Sequence, residues 1–484
     1  MKSIICKITV ILFLCCLSAP VFGALPWDNG KLKVSDNHRF LVFENGTPFF
    51  WLGNTSWLLS ERLNRDDVEF FLTAEAKNGY NVEQLQILCG TPTFNIYGKA
   101  GNTSDFAFTN ETQEGEYGYW EHLDYIVEFA ATQGIFIAMD VIWGSQLNNM
   151  DVQKAANLGH FIGRRYAKYP NIIWMIGGDI RGDKQPEVWD ALARAIKAED
   201  PVHLMTFHPR GRTTSAWWFN DREWLDFNMF QSGHRCYGQR NGDGDYTIDD
   251  DTEEDNWRYV EMSKPGNKAG QDRFSVKGDL KPVLDGEPSY EDIPQGLHDF
   301  TMPRWQDYDV RRYAYWAVFA GCFGHTYGHN SIMQFKRPGN LGSFDAQKPW
   351  WEAMTDPGYL QMKYLKHLMM SVPFTEGQND QSVIVSRNGE KYDRIIATCG
   401  NDYMMVYNYT GKPMTINISK ISGNKKQLWM MNPADGTMKY LGETAGKKHH
   451  FTFDSVGTKG QDRVIIIMDA SKNYFTKEQQ NIVK

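Results

Sequence analysis

The chain has 484 residues, a formal net charge of −8 and a pI near 5.9. That length exceeds one hydrophobic core of ordinary size, so a large domain with a smaller one is the expectation. The acidic balance excludes nucleic acid or an anionic membrane as the principal partner, and a polyanionic substrate would need a local basic pocket. With 42% hydrophobic and 23% charged residues the composition is that of a soluble globular protein. Sixteen Trp and 23 Tyr supply flat apolar faces with a polar handle, which suit sugar rings as well as a large core.

Residues 1–23 carry Lys2 and Lys7 beside a short apolar run that ends in small residues before Ala24. This reads as a secretory signal peptide, with export to the periplasm, the cell surface or beyond. Cys15 and Cys16 raise lipid attachment, but Phe13 and Leu14 stand where a lipobox needs small residues. No later run is apolar enough to span a bilayer. Cys89, Cys236, Cys322 and Cys399 have no close spacing and read as buried free thiols, with one bridge left open.

From residue 24 the pattern alternates strand-like and helix-like runs. After a hairpin at 32–48, strands are expected at 49–54, 82–88, 136–143, 172–178, 203–208, 226–231, 282–287 and 324–329. Helices are expected at 64–79, with Asn64 as cap and Gly79 as stop, and at 119–134, 152–169, 187–200 and 309–321. Eight strands with helices between them predict a (β/α)8 TIM barrel over 24–374. Two long loops, 89–118 and 234–280, follow strands and so should shape the C-terminal face.

Beyond residue 375 short alternating runs at 382–386, 394–399, 403–409, 413–419, 426–432, 450–453 and 463–468 predict a small antiparallel β-sandwich over 375–470, with a tail at 471–484. The acidic stretch 243–255 has calcium-loop spacing, yet Tyr246 and Thr252 occupy the Gly and Glu positions, so a solvated loop is the reading.

In a barrel the C-terminal strand ends meet at one face whatever their separation in sequence. Asp179 ends Ile172-IWMIGG-Asp179, where Gly177 and Gly178 leave room beside the carboxyl, and Glu287 ends Pro282-VLDG-Glu287. A carboxyl pair flanking one bond is what glycoside cleavage needs: an acid for the leaving oxygen and a nucleophile or base for the anomeric carbon. A plain structural reading of Glu287 pairs it with Arg304, Arg311 or Arg312, and Asp285 on the same strand face would raise a neighbour's pKa if both are buried. Asn54, Asp140, His208, Gln231, His325 and His329 are further polar residues at strand ends, and Trp143, Trp217 and Trp218 are candidates to stack on a sugar. All nine are expected to bind substrate. No metal or other cofactor is expected, although barrel-end histidines with Asp140 or Asp179 leave a metal-dependent hydrolase as a competing class. A carbohydrate-binding protein with an inactive barrel is the third.

The segments Trp51-LGNTSW, Trp174-MIGGD and Leu284-DGEPSYE, with the C-terminal sandwich, resemble the apiosidase-like glycosidases of glycoside hydrolase family 140. Their barrel is of the type called domain of unknown function 4038, and their sandwich is named for collagen binding without functional support. The resemblance covers about residues 30 to 470. It implies an acid/base Asp after strand four and a nucleophilic Glu after strand seven, which fall on Asp179 and Glu287. It also implies a retaining hydrolysis that releases apiose from a pectic polymer of the rhamnogalacturonan II type. The wider clan has Asn-Glu after strand four where this chain has Gly178-Asp179, so the substrate geometry differs from that of common pyranosidases.

Overall fold

The computed structural model describes residues 24–103, 117–239, 254–269, 274–454 and 457–475. Residues 1–23, residues 243–253 of the acidic stretch and the end of the tail lie outside the described residues, while Glu254 and Asp255 at the end of that stretch are buried rather than solvated.

The alternating pattern of the first 374 residues forms eight parallel strands: β1 (Trp51–Thr55), β2 (Val82–Leu88), β3 (Phe136–Ile142), β4 (Ile172–Ile180), β5 (Met205–Pro209), β6 (Asn228–Gln231), β7 (Val283–Asp285) and β8 (Gly324–Tyr327). Six of them make one ladder in the order β8-β1-β2-β3-β4-β5, and β6 pairs with β7. Two sets of bonds join these sheets. Asp226 N–H donates to Met205 O at 2.9 Å and Phe323 N–H to Val283 O at 3.1 Å, while the Asp226 carboxylate accepts Met205 N–H at 2.7 Å. The barrel is thereby closed, and nearly every residue of β2 to β5 is buried, as parallel strands covered on both faces require. The expected hairpin is present as Leu32–Val34 and Leu41–Phe43, extended to three strands by Pro48–Phe49.

The helix α1 (Arg65–Lys77) starts where Asn64 accepts Asp67 N–H at 2.9 Å, and Gly79 at φ +89° follows its end. Outside the barrel wall lie α1, α2 (Tyr119–Thr132), α3 (Val152–Tyr166), α4 (Pro186–Glu199) and α5 (Asp307–Ala320), close to the ranges that periodicity predicts.

The C-terminal domain contains β9 (Gln378–Asn379), β10 (Ile395–Cys399), β11 (Tyr403–Asn408), β12 (Met414–Asn417), β13 (Lys426–Met431), β14 (Met438–Thr444), β15 (Lys448–Phe451) and β16 (Arg463–Asp469). Six form an antiparallel sheet in the order β9-β10-β11-β16-β13-β14, and β12 with β15 makes a two-stranded ribbon. The expected strand at 382–386 is instead a 3-10 turn, Gln381–Val383, because Asp380 accepts Ser382 N–H at 3.0 Å and caps it. The edge strand β14 escapes the sequence pattern because its residues are mostly half-buried or exposed.

Both faces of the main sheet are covered. Ile395, Ala397, Met404, Val406, Ile465 and Ile467 pack with the ribbon, while the alternate residues Ile396, Met405, Tyr407, Val464 and Ile466 join the core of the barrel. At that junction Tyr315 stacks on Tyr407 at 4.7 Å and Arg311 meets Asp462 at 2.9 Å, both ends of the ion pair buried.

Of the four thiols, Cys322 is buried and Cys89, Cys236 and Cys399 are only half-buried. Among the described residues no helix is long and apolar enough to cross a membrane.

Candidate active site

A cavity of about 440 Å³ opens at the C-terminal face of the barrel, and both Asp179 and Glu287 line it. Asp179 gets there by a break in β4. Gly177, Gly178 and Asp179 have φ of +115°, +74° and +51°, and the ladder to β5 jumps from Gly177↔His208 to Ile180↔Pro209. Side chains are excluded from the two glycines. A Cβ on Gly178 would lie 2.4 Å from the Trp143 ring and 2.9 Å from Asp140 Oδ2, and one on Gly177 would lie 2.5 Å from His208 O. The bulge turns the Asp179 carboxyl into the cavity, where Gly211 N–H approaches Oδ1 at 3.3 Å. Glu287 follows β7 through Gly286, whose N–H donates to Phe230 O at 2.8 Å.

The two carboxyls are driven in opposite directions. Desolvation of the carboxyl, and then the negative charge of Glu287, push the Asp179 pKa up to about 6, although the residue as a whole is exposed at the cavity. Burial alone would raise Glu287, which is 6% exposed, but two imidazoles outweigh it. His208 Nε2 lies 3.1 Å from Oε2 and His234 Nε2 lies 3.0 Å from Oε1, so Glu287 is held well below the usual carboxylate range.

Arg304, Arg311 and Arg312 do not pair with Glu287. They bind Asp345, Asp462 and Glu254 respectively. Nor does Asp285 raise Glu287: it turns aside to Ser232 Oγ at 2.7 Å and Asn256 Nδ2 at 3.0 Å, and burial raises its own pKa to about 7.

Of the nine residues expected to contact substrate, Trp143 and Gln231 line the cavity. The other seven do not. Asn54 faces the helix layer and donates to Glu75 Oε1 at 3.0 Å. Asp140 lies buried beneath Gly178, where desolvation lifts its pKa to about 8. His208 is fully buried behind Glu287. Trp217 packs on Val276 and Trp218 on Phe207. His325 is the second residue of β8, too deep to emerge, and burial pushes its pKa down to about 3. His329 pairs with Asp356 at 2.8 Å. A strand-end position in the sequence does not specify which way a side chain turns.

Several cavity residues are not among the expected site residues: Gln86, Arg210, Arg212, His234 and Arg235, with Trp57 and Tyr290 from the segments Trp51-LGNTSW and Leu284-DGEPSYE. Arg210 directly follows β5 and His234 is three residues past β6, so proximity to a strand end was the available signal. Trp57 belongs to the Trp51-LGNTSW segment, and its indole Nε1–H donates to Tyr290 Oη at 3.0 Å. Among the described residues no group of three or more His, Cys, Asp and Glu is arranged to hold a metal ion.

The family model of the apiosidase-like catalytic domain matches residues 35–376. The chain belongs to this family. A model of a collagen-binding-like domain, described for a collagenase, matches residues 379–468. A solved structure named a glycoside hydrolase is 57% identical, with 93% of this chain and 100% of that chain covered and a TM-score of 0.89. Another, described as a glycoside hydrolase family 5 protein from Bacteroides vulgatus ATCC 8482, is also 57% identical, with 94% and 97% covered and a TM-score of 0.89. A further structure from that organism, 15% identical with 92% and 83% covered and a TM-score of 0.60, shows the fold alone. No curated protein matches the chain. The protein is a glycoside hydrolase with a TIM-type catalytic barrel and an antiparallel sheet domain.

Proposed function

We propose that this glycoside hydrolase is a retaining enzyme in which Asp179 is the acid/base and Glu287 the nucleophile. The observation that carries the reading is the opposed electrostatics of the two carboxyls in one cavity. An anionic Glu287 attacks the anomeric carbon while a protonated Asp179 gives its proton to the leaving oxygen. Asp179, now a base, then activates water to release the sugar from Glu287. NMR of the first product tests this, and an inverted anomer would overturn it.

The proposed substrate is an apiose-bearing side chain of a pectic polymer of the rhamnogalacturonan II type. Membership of the apiosidase-like family supports it, and Arg210, Arg212 and Arg235 line the same cavity. Gly178 stands where the clan has an Asn that contacts a sugar 2-hydroxyl, so the substrate geometry differs from that of common pyranosidases. Digestion of a panel of pectic side chains should release apiose, and cleavage of neutral hexose polymers alone would replace this specificity with another. Export follows from the N-terminal segment 1–23, and fractionation of expressing cells checks it.

A further inference from the structure

His208 touches the segments of both carboxyls with opposite edges of one ring. Its Nδ1 accepts the Asp179 backbone N–H at 3.1 Å, and its Nε2 lies 3.1 Å from Glu287 Oε2. A ring nitrogen that accepts an N–H carries no hydrogen, so while that bond holds the ring proton is on Nε2, at ion-pair distance from Glu287, whose charge outweighs burial and raises the imidazole's pKa. The Nδ1 bond forms where the backbone most needs one. Asp179 is a non-glycine residue at φ +51° and the last of three left-handed residues, a conformation that persists only when its surroundings hold it. The β4–β5 ladder is interrupted at this residue, and the imidazole takes the N–H that the bulge leaves outside the ladder. The ring itself is confined. It is fully buried, with the Trp57 and Trp143 rings at 5.3 and 5.7 Å.

We propose that His208 is the positioning residue of the reaction: one imidazole holds the backbone of Asp179 by its Nδ1 edge and, 3.1 Å from Oε2, confines the carboxylate of Glu287 by its Nε2 edge. The assignment rests on the catalytic roles proposed above for those two residues.

Two isosteres separate the edges. Asparagine places its amide where Nδ1 was, and glutamine places its amide where Nε2 was. His208→Gln therefore keeps a donor toward Glu287 and loses the acceptor for Asp179, and His208→Asn does the reverse. Values of kcat/KM are compared on a pectic oligosaccharide, whose leaving oxygen needs a proton, and on a dinitrophenyl apioside, whose leaving group does not. His208→Gln should lose about 10²-fold or more on the oligosaccharide and stay near wild type on the aryl glycoside, since only the acid is displaced. His208→Asn should fall on both. Equal losses of the two variants on the two substrates, or none, would overturn the proposal. Crystal structures give a readout that needs no substrate: Asp179 should leave the left-handed region in His208→Gln and keep it in His208→Asn, and an unchanged Asp179 in both would overturn the proposal as well. If the wild-type enzyme cleaves neither substrate, the apiose reading fails and the structural comparison still decides the role of His208.

Discussion

His234 places its Nε2 3.0 Å from Glu287 Oε1, on the opposite side of the carboxylate from His208. Asp179 has no such pair of imidazoles and keeps its proton to a higher pH. The difference between two carboxyls in one cavity therefore arises from His208 of β5 and His234 of the connection after β6, which both reach Glu287.

Replacing either carboxyl should remove most activity without unfolding the protein. Asp179→Ala is expected to lose about 10²- to 10⁴-fold in kcat/KM on a natural glycan, the usual worth of a positioned acid. Glu287→Ala should fall at least as far, with a circular dichroism spectrum like that of the wild type. A folded Glu287→Ala variant with near-normal turnover would remove the nucleophile.

Activity should fall as pH rises through about 6, because Asp179 must be protonated to act as the acid. The acidic limb is set by Glu287 and lies well below the ordinary carboxylate range. His234→Ala removes one of its two imidazole contacts and should move the acidic limb upward in a kcat/KM profile while leaving the basic limb in place.

Stability should have its own pH dependence. Asp140 and Asp285 are buried, which raises their folded pKa values to about 8 and 7. Such groups bind protons that the unfolded chain has already released. Their stabilisation is complete below the unfolded carboxyl value of about 4 and is lost as pH rises through 7 to 8. The Tm should drop between pH 5 and pH 9, and Asp140→Asn should flatten that drop. A Tm that rises across this interval would contradict the protonated state of both groups.

The tryptophans divide by position. Trp143 lines the cavity, so Trp143→Ala should weaken kcat/KM by about one to two orders of magnitude, equivalent to roughly 1.5–3 kcal/mol of transition-state binding. Trp217 is 6% exposed and packed in a core, so Trp217→Ala should cost about 3–5 kcal/mol of stability and leave the specific activity of the folded fraction intact. Paired melting curves and kinetics distinguish the two.

Deleting the chain after residue 374 should cause aggregation rather than a new substrate preference, because the second face of the C-terminal sheet is part of the barrel's core. Within the full chain, Asp462→Ala leaves Arg311 buried without its main partner and should cost about 3–5 kcal/mol. A soluble truncated barrel with full activity would show that the domain is dispensable.

Sequence alone determined the order of the elements, because hydrophobic periodicity and caps such as Asn64 act over a few residues. It also placed Asp179 and Glu287 together, since parallel strands bring their C-terminal ends to one face. It did not determine which neighbours meet them. His325 and Asn54 occupy strands as Gln231 does, yet strand parity and depth turn them away from the cavity. The turn at Asp179 depends on a bulge whose bond comes from another strand. His234, Arg235 and Tyr290 converge from connections with no periodic signal. The C-terminal runs showed alternation, but only docking against the barrel decided that both faces of their sheet are buried, because burial depends on what another part of the chain places opposite each side chain.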